Sequence, residues 1–232
     1  MKKRKFRMFI NSLLITVIGC GSVLGVSAST LSSDTQNLPT NMNEEWSSYS
    51  VVTDEDELAQ IIEEDNLKIP EGYHLEKVET FVYTDEDNAY SDVAELTEEV
   101  QPYGIIYNVT NIKNLGDRYT ISSEYDSDWF YGPADVSESY SRTNTVEKSV
   151  SVGITNAALT SALGYSVTKS YTNTKTFSTS VASGKKLNVK VYTNYQKNTF
   201  DIYNKATGNC VQSGAYTLKP VGLIFKQYTY TA

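Results

Sequence analysis

The stretch KSVSVGITNAALTSALGYSVTK, residues 148–169, decides how this chain is read. Taken as two strands back to back, its side chains separate into two faces, because successive residues of a strand point to opposite sides. The odd positions of the first strand are Ser149, Ser151, Gly153, Thr155 and Ala157, and the even positions of the second are Thr160, Ala162, Gly164, Ser166 and Thr168. The other face carries Val150, Val152, Ile154, Leu163, Tyr165 and Val167. The pattern predicts a β-hairpin with water on one side and hydrocarbon or a protein core on the other. Alternation alone does not separate those two surroundings, since half-buried antiparallel sheets show it routinely.

A turn centred between Ala158 and Leu159 sets the expected register. Ser151 then faces Ser166, Gly153 faces Gly164 and Tyr140 faces Phe177, while Lys148 falls opposite Lys169 and Arg142 opposite Lys175. From Lys148 to the tip, about 11 tilted residues at ~3.3 Å each span roughly 25 Å, close to a bilayer's hydrocarbon thickness. On this expectation Val150, Val152, Ile154, Leu163, Tyr165 and Val167 form a membrane-inserting face. Ser149, Ser151, Gly153, Thr155, Thr160, Gly164, Ser166 and Thr168 line a water path, and Lys148 and Lys169 contact headgroups. A lone hairpin leaves unpaired edges in lipid, so insertion requires several copies that close a barrel.

Outward from this stretch, the chain is mainly strand. From Pro102 onward tyrosine and β-branched residues are frequent. Strands are expected over 105–111, 119–125, 136–155, 165–181, 187–195, 199–203 and 221–230, with turns at Gly116-Asp117, Gly132-Pro133, Ser183-Gly184 and Thr207-Gly208-Asn209. Two of these run well past the usual five or six residues, which predicts an elongated antiparallel β-sheet domain over 102–232. Before it, 50–101 reads as a small acidic α+β segment. A helix is expected over about 54–64 with Thr53 as cap and Leu58, Ile61 and Ile62 on one face, then a strand over 75–83 and a short helix over 92–100. Residues 29–49 read as a flexible linker.

The N-terminus carries Lys2, Lys3, Arg4, Lys5 and Arg7 before an apolar run from Met8 to Ile18, and Val26-Ser27-Ala28 follows as a cleavage site. Residues 1–28 are therefore expected to be a signal peptide of a secreted, Gram-positive protein. Cys20 in Val17-Ile18-Gly19-Cys20 offers a second route, lipidation and anchoring at the cell surface. Release after Ala28 is favoured because the residues after Cys20 stay apolar through Val26. Either way Cys210 has no intramolecular partner, and the fold must hold without disulfides.

The net charge of −8 conceals a division. From Ser29 to Gln101 there are 20 acidic residues against two lysines, and from Pro102 onward 8 acidic against 13 basic. The basic half suits anionic lipid or cell-envelope polymers, and the acidic half would mask it. Nucleic acid is a poor partner for dispersed charges on an exported chain. With His74 as the sole histidine and one mature cysteine, no zinc site can be assembled from the usual residues, and a Ser/His/Asp triad would have to use His74, which no nucleophile-elbow pattern accompanies. No enzyme activity, cofactor, metal or small-molecule substrate is expected. The expected partners are membrane lipid or a cell-surface receptor, and sibling copies. Asp126 to Tyr131, with Trp129 at its centre, reads as an aromatic loop that anchors a core or meets a glycan or lipid interface.

Three features carry a family resemblance: the Ser/Thr alternation of residues 166–178, Gly184-Lys185-Lys186 leading into the alternating strand 187–192, and the run Phe200 to Tyr203. Over about 136–203 the chain resembles the aerolysin-like β-pore-forming proteins, particularly the epsilon-toxin and mosquitocidal-toxin branch. That resemblance implies an elongated sheet and an amphipathic hairpin that inserts after oligomers assemble, which by position is 148–169. The rival expectation is a non-enzymatic surface or adhesive protein whose β domain binds a polymer or a protein.

Overall fold

Among the described residues, nine strands and three helices follow one another as β1 (Ser48–Val52), α1 (Glu55–Glu64), β2 (His74–Thr84), α2 (Glu86–Tyr90), β3 (Tyr107–Asn114), β4 (Tyr125–Tyr131), β5 (Ala134–Thr145), β6 (Glu147–Lys148), α3 (Asn156–Leu163), β7 (Ser170–Val181), β8 (Lys185–Asn204) and β9 (Cys210–Thr231). This computed structural model describes residues 46–90 and 107–232. They belong to a unit spanning 39–232; another unit, 1–38, lies wholly outside the described residues. The expected signal peptide, Cys20, most of the linker and the helix over 92–100 also lie outside them.

The architecture is mainly β and antiparallel, as expected. β8 and β9 pair along nearly their whole length, from Lys185↔Thr231 to Tyr203↔Cys210. At ~3.3 Å per residue a 20-residue strand is about 65 Å long. On the far edge of β9 lie β2 and then β1. The far edge of β8 is shared, with β4 on Lys186–Tyr192 and β3 on Asn198–Asn204. The strands expected over 187–195 and 199–203 are thus one strand, and 221–230 is only the upper half of another. Gln196-Lys197-Asn198, between the two expected strands, continue the ladder on β9. Pro220 lies within β9 at a register irregularity between Asn194/Gly222 and Tyr195/Pro220, where its missing N–H costs the ladder least.

Two more expectations are corrected. The strand placed at 119–125 lies instead at Tyr125–Tyr131, so the aromatic cluster is strand and not loop. Within the described part of 50–101, β1 and β2 extend the same sheet as β8 and β9. Phe81 of β2 packs in the principal core with Val189, Val191, Leu223 and Phe225. Trp46, at the end of the expected linker, packs with its ring centroid 5.3 Å from those of Phe81 and Phe225. Helix α1 begins as expected, but its cap is Asp54, whose carboxylate accepts from the amides of Asp56 and Glu57.

Helix α1 sets Leu58 with Val78, Tyr228 and Tyr230 on one face of the sheet. Asp65 closes the helix and fastens it. Its carboxylate accepts from Lys226 Nζ at 2.9 and 3.0 Å and from the Tyr228 hydroxyl at 2.6 Å. The opposite face of the sheet is covered by a two-stranded ribbon, β5–β7, which forms its own sheet.

Candidate functional site

The ribbon and its tip form the candidate site. In β5 the odd positions from Asp135 to Thr145 face solvent, and in β7 the even positions from Ser170 to Ser180 do. Their register pairs Ala134 with Val181, Thr143 with Thr172 and Thr145 with Ser170. Hydroxyls meet across the exposed face at Ser137–Ser178 (3.1 Å), Ser141–Thr174 (2.8 Å) and Thr143–Thr172 (2.7 Å). This register differs by two residues from the expected one, because Phe177 pairs with Glu138 and not with Tyr140. The shift places Arg142 opposite Asn173 and so removes the like-charge contact with Lys175. It also lets Phe177 stack on Phe225, with centroids 5.4 Å apart, while Tyr140 meets the same ring edge-on at 5.5 Å.

No backbone ladder joins the ribbon to the main sheet among the described residues. Side chains hold it there. Val136, Tyr140, Phe177 and Val181 are buried against the sheet. Arg142 Nη1 donates to Asp126 Oδ2 at 3.2 Å and to the Val191 carbonyl at 3.1 Å, and Thr193 donates to Asn144. Burial pushes the Tyr140 hydroxyl above its ordinary pKa, and the carboxylate of Asp128 adds to the shift.

Between the ribbon strands, 148–169 is not a hairpin in this structure. Lys148 ends the two-residue strand β6 on β9, residues 149–155 run irregularly, and Asn156–Leu163 form helix α3. Thr155, expected to line a pore, caps the helix by accepting from the Ala158 amide at 3.2 Å. Gly164 ends the helix in the left-handed region at φ 77°, which favours glycine. These were the signals that period-two reading passed over: a capping Thr, the helix formers Ala157, Ala158 and Leu159, and a glycine at the C-terminal stop.

The division into two faces nonetheless survives. Tyr165 and Val167 are buried with Val146, Leu159, Tyr171, Phe200, Ile202 and Ala215, and Val150, Val152, Ile154 and Leu163 pack around them. The polar set lies outside or serves local bonds. Ser149 Oγ accepts from the Tyr216 amide, Ser151 donates to Gln212, and Thr160 Oγ1 accepts from the Val167 amide. Gly153 and Thr168 are exposed, while Ser166 is half-buried. Lys148 is exposed and donates to Asn156 Oδ1, and Lys169 lies over the Tyr171 ring at 5.2 Å. A small polar knot underlies the apolar patch. The Tyr165 hydroxyl is 2.7 Å from Thr217 Oγ1 and accepts from Asn198 Nδ2 at 3.1 Å. Burial raises the Tyr165 pKa, partly offset by these two bonds.

Among the described residues no group of three or more His, Cys, Asp or Glu side chains could hold a metal ion, and no helix is long and apolar enough to cross a membrane. Cys210 is exposed and unbridged.

Neither a protein-family model nor a curated protein matches the chain. Among solved structures it is similar to a "putative pore-forming toxin" from Bacteroides vulgatus, at 10% identity over 56% of this chain. The match spans 55% of that protein's length, about half, and its TM-score is 0.23. A likeness at that level carries no argument about fold or function.

Proposed function

We propose that this chain is a secreted, membrane-active protein of the aerolysin-like pore-forming kind, and that residues 135–180 are its inserting hairpin. One observation carries the reading: the ribbon register runs through the intervening segment without a change of face. Continuing the pairing of Thr145 with Ser170 sets Ser149 against Ser166, Val150 against Tyr165, Ser151 against Gly164 and Val152 against Leu163. The solvent face of β5–β7 and the Ser/Thr face of 149–168 thereby become one strip, with the apolar residues on the reverse. Lys148 then meets Val167 and Lys169 meets Val146, so the two lysines at the apolar boundary no longer oppose each other.

Magnitudes bear on how such a hairpin could be released. Uncovering Val136, Tyr140, Phe177 and Val181 alone costs about 1.5–3 kcal/mol each, or roughly 6–12 kcal/mol, and freeing the tip also uncovers Val146, Leu159, Tyr165, Val167 and Tyr171. No strand ladder except the short β6–β9 pairing has to break as well. A single copy would not bear that cost spontaneously. Ladder bonds between neighbouring hairpins and transfer of the apolar face into lipid would offset it, which ties insertion to self-association. No catalytic step belongs to this mechanism.

The test is dye release from phosphatidylglycerol-containing vesicles by a Cys210→Ser protein carrying Glu147→Cys and Leu218→Cys. These two positions are register partners of β6 and β9, close enough for a disulfide. Oxidised protein should be silent, and reductant should restore leakage. Leakage that is equal in both states would show that the tip need not leave β9, and the reading would fall.

A further inference from the structure

Among the described residues three buried side-chain polar atoms make no hydrogen bond: the Tyr140 hydroxyl, Asn173 Nδ2 and Gln227 Oε1. All three lie where the ribbon covers the sheet. Tyr140 and Asn173 stand on the inner sides of β5 and β7, and Gln227 of β9 pairs with Val189, which belongs to the core that Val136 and Val181 of the ribbon enter. Other buried amides of the sheet are served. Asn188 Nδ2 donates to Ser127 Oγ and the Asp128 carbonyl, Asn194 Nδ2 to Thr84 Oγ1 and Asp117 Oδ2, and Asn198 Nδ2 to the Tyr165 hydroxyl. The two orphaned amides are fixed by their other ends. Asn173 Oδ1 accepts from Asn88 Nδ2 at 2.9 Å, and Gln227 Nε2 donates to Glu79 Oε2 at 2.9 Å. Turning the first would set donor against donor, and turning the second would set oxygen against carboxylate. They are the cleaner pair, since the Tyr140 hydroxyl has the Asp128 carboxylate nearby.

From this distribution we infer that the ribbon is a strap poised to open, whose contact with the sheet holds polar groups that find partners only when it leaves. The inference rests on the reading of 135–180 as the segment that leaves. A buried donor or acceptor without a partner bears its full desolvation cost, whereas at the surface water meets it. Burial of Val136, Tyr140, Phe177 and Val181 keeps the closed form dominant, and the orphaned groups narrow its margin. The hydroxyl pairs of the outer face, such as Ser141 with Thr174 at 2.8 Å, are the same in either position. Asn144, also on the inner side of β5, marks the contrast. Its Oδ1 accepts from Thr193 Oγ1 at 2.8 Å, a bond that opening must break.

Thiol labelling of the full chain, in the absence of denaturant, tests this. In a Cys20→Ser, Cys210→Ser background, Val136→Cys places a thiol on the buried side of the ribbon, where a maleimide reaches it on opening. Asn173→Leu and Gln227→Met each remove an orphaned atom and keep the site filled. Asn88 Nδ2 retains the Thr172 carbonyl and Asp85 Oδ2, and Glu79 retains Tyr49 and Lys77. Each variant should slow labelling about tenfold, the share of one relieved desolvation penalty. Asn144→Leu, which orphans the buried Thr193 hydroxyl, should speed it by about as much. Slowing by neither amide variant overturns the inference. Slowing by Asn144→Leu overturns it too, since added apolar surface alone would then set the rate. Where Asn173→Leu fails to fold, Gln227→Met, on the sheet side, decides alone. Labelling needs no membrane. A protein that labels as expected but leaks no dye fails the pore reading only, and one that leaks while the amide variants leave labelling unaltered fails this inference only.

Discussion

Gly222 has no room for a side chain. A Cβ there would lie 1.9 Å from the Tyr83 carbonyl oxygen and 2.9 Å from Thr84 Cα, both backbone atoms of the neighbouring strand. Gly222→Ala is therefore expected to cost about 3 kcal/mol or more, since the β2–β9 ladder must part to admit one methyl group; the urea midpoint measures it. The tyrosines set the alkaline limit. Tyr195 and Tyr230 are each pushed up to about 12, by burial first. In the unfolded chain they ionise near ~10, so between about pH 10 and 12 the unfolded state has lost protons that the folded state keeps. Stability is then fully present below pH ~10 and falls by about 1.4 kcal/mol per pH unit per tyrosine as pH rises toward 12. Urea titrations from pH 9 to 12 should show that slope, and Tyr230→Phe should flatten it by one residue's share. An unaltered slope in the variant would mean that Tyr230 does not titrate as its burial demands.

At the scale of elements, α3 is a short helix of low charge that depends on its two ends. Thr155→Ala removes the cap and should cost about 1 kcal/mol. Because 149–169 joins the sheet mainly through side chains, the loss should appear as local opening, with amide exchange over 156–163 faster by about fivefold and little change in the global midpoint. Under the pore reading the same variant leaks dye sooner, since an unfastened tip is nearer to release. Protection unchanged over α3 would show that packing on Phe200 and Ile202, and not the cap, holds the helix. The ribbon behaves differently. Its hydroxyl pairs face solvent and stay paired if it swings out, so the resistance lies on the reverse face, where Phe177 stacks on Phe225 and Arg142 reaches Asp126.

For the whole molecule, β1 and β2 from the acidic N-terminal part share one sheet with the strands of the basic remainder. A chain beginning at Pro102 would lose β2 and uncover β9 from Gly222 to Thr231, so it should not fold. Of the described structure, a chain beginning at Lys68 loses β1, α1 and Trp46, freeing Lys226 and Tyr228 from Asp65, baring Val78 and Tyr230 and uncovering one side of Phe81 and Phe225. It should keep its β circular dichroism, melt lower, and sediment with phosphatidylglycerol vesicles more strongly than the full chain. Equal sedimentation of the two would remove masking as the role of α1.

The sequence by itself determined the mainly β class, strand β2 almost to the residue, the start of α1 with its acidic first turn and the division of 148–169 into a small polar set and an apolar set. These are local properties, fixed by side-chain type and spacing along the chain. Only the tertiary structure decided what the apolar set rests on. A short run of Ser, Thr, Ala and Leu satisfies a period of two and a period of 3.6 almost equally, and the surface made by Phe200, Ile202 and Ala215 is buried by a loop and a helix. The ribbon register was settled in the same way, by Phe177 and Tyr140 on Phe225. Its two-residue shift preserves the faces, because side chains on a strand repeat every two residues.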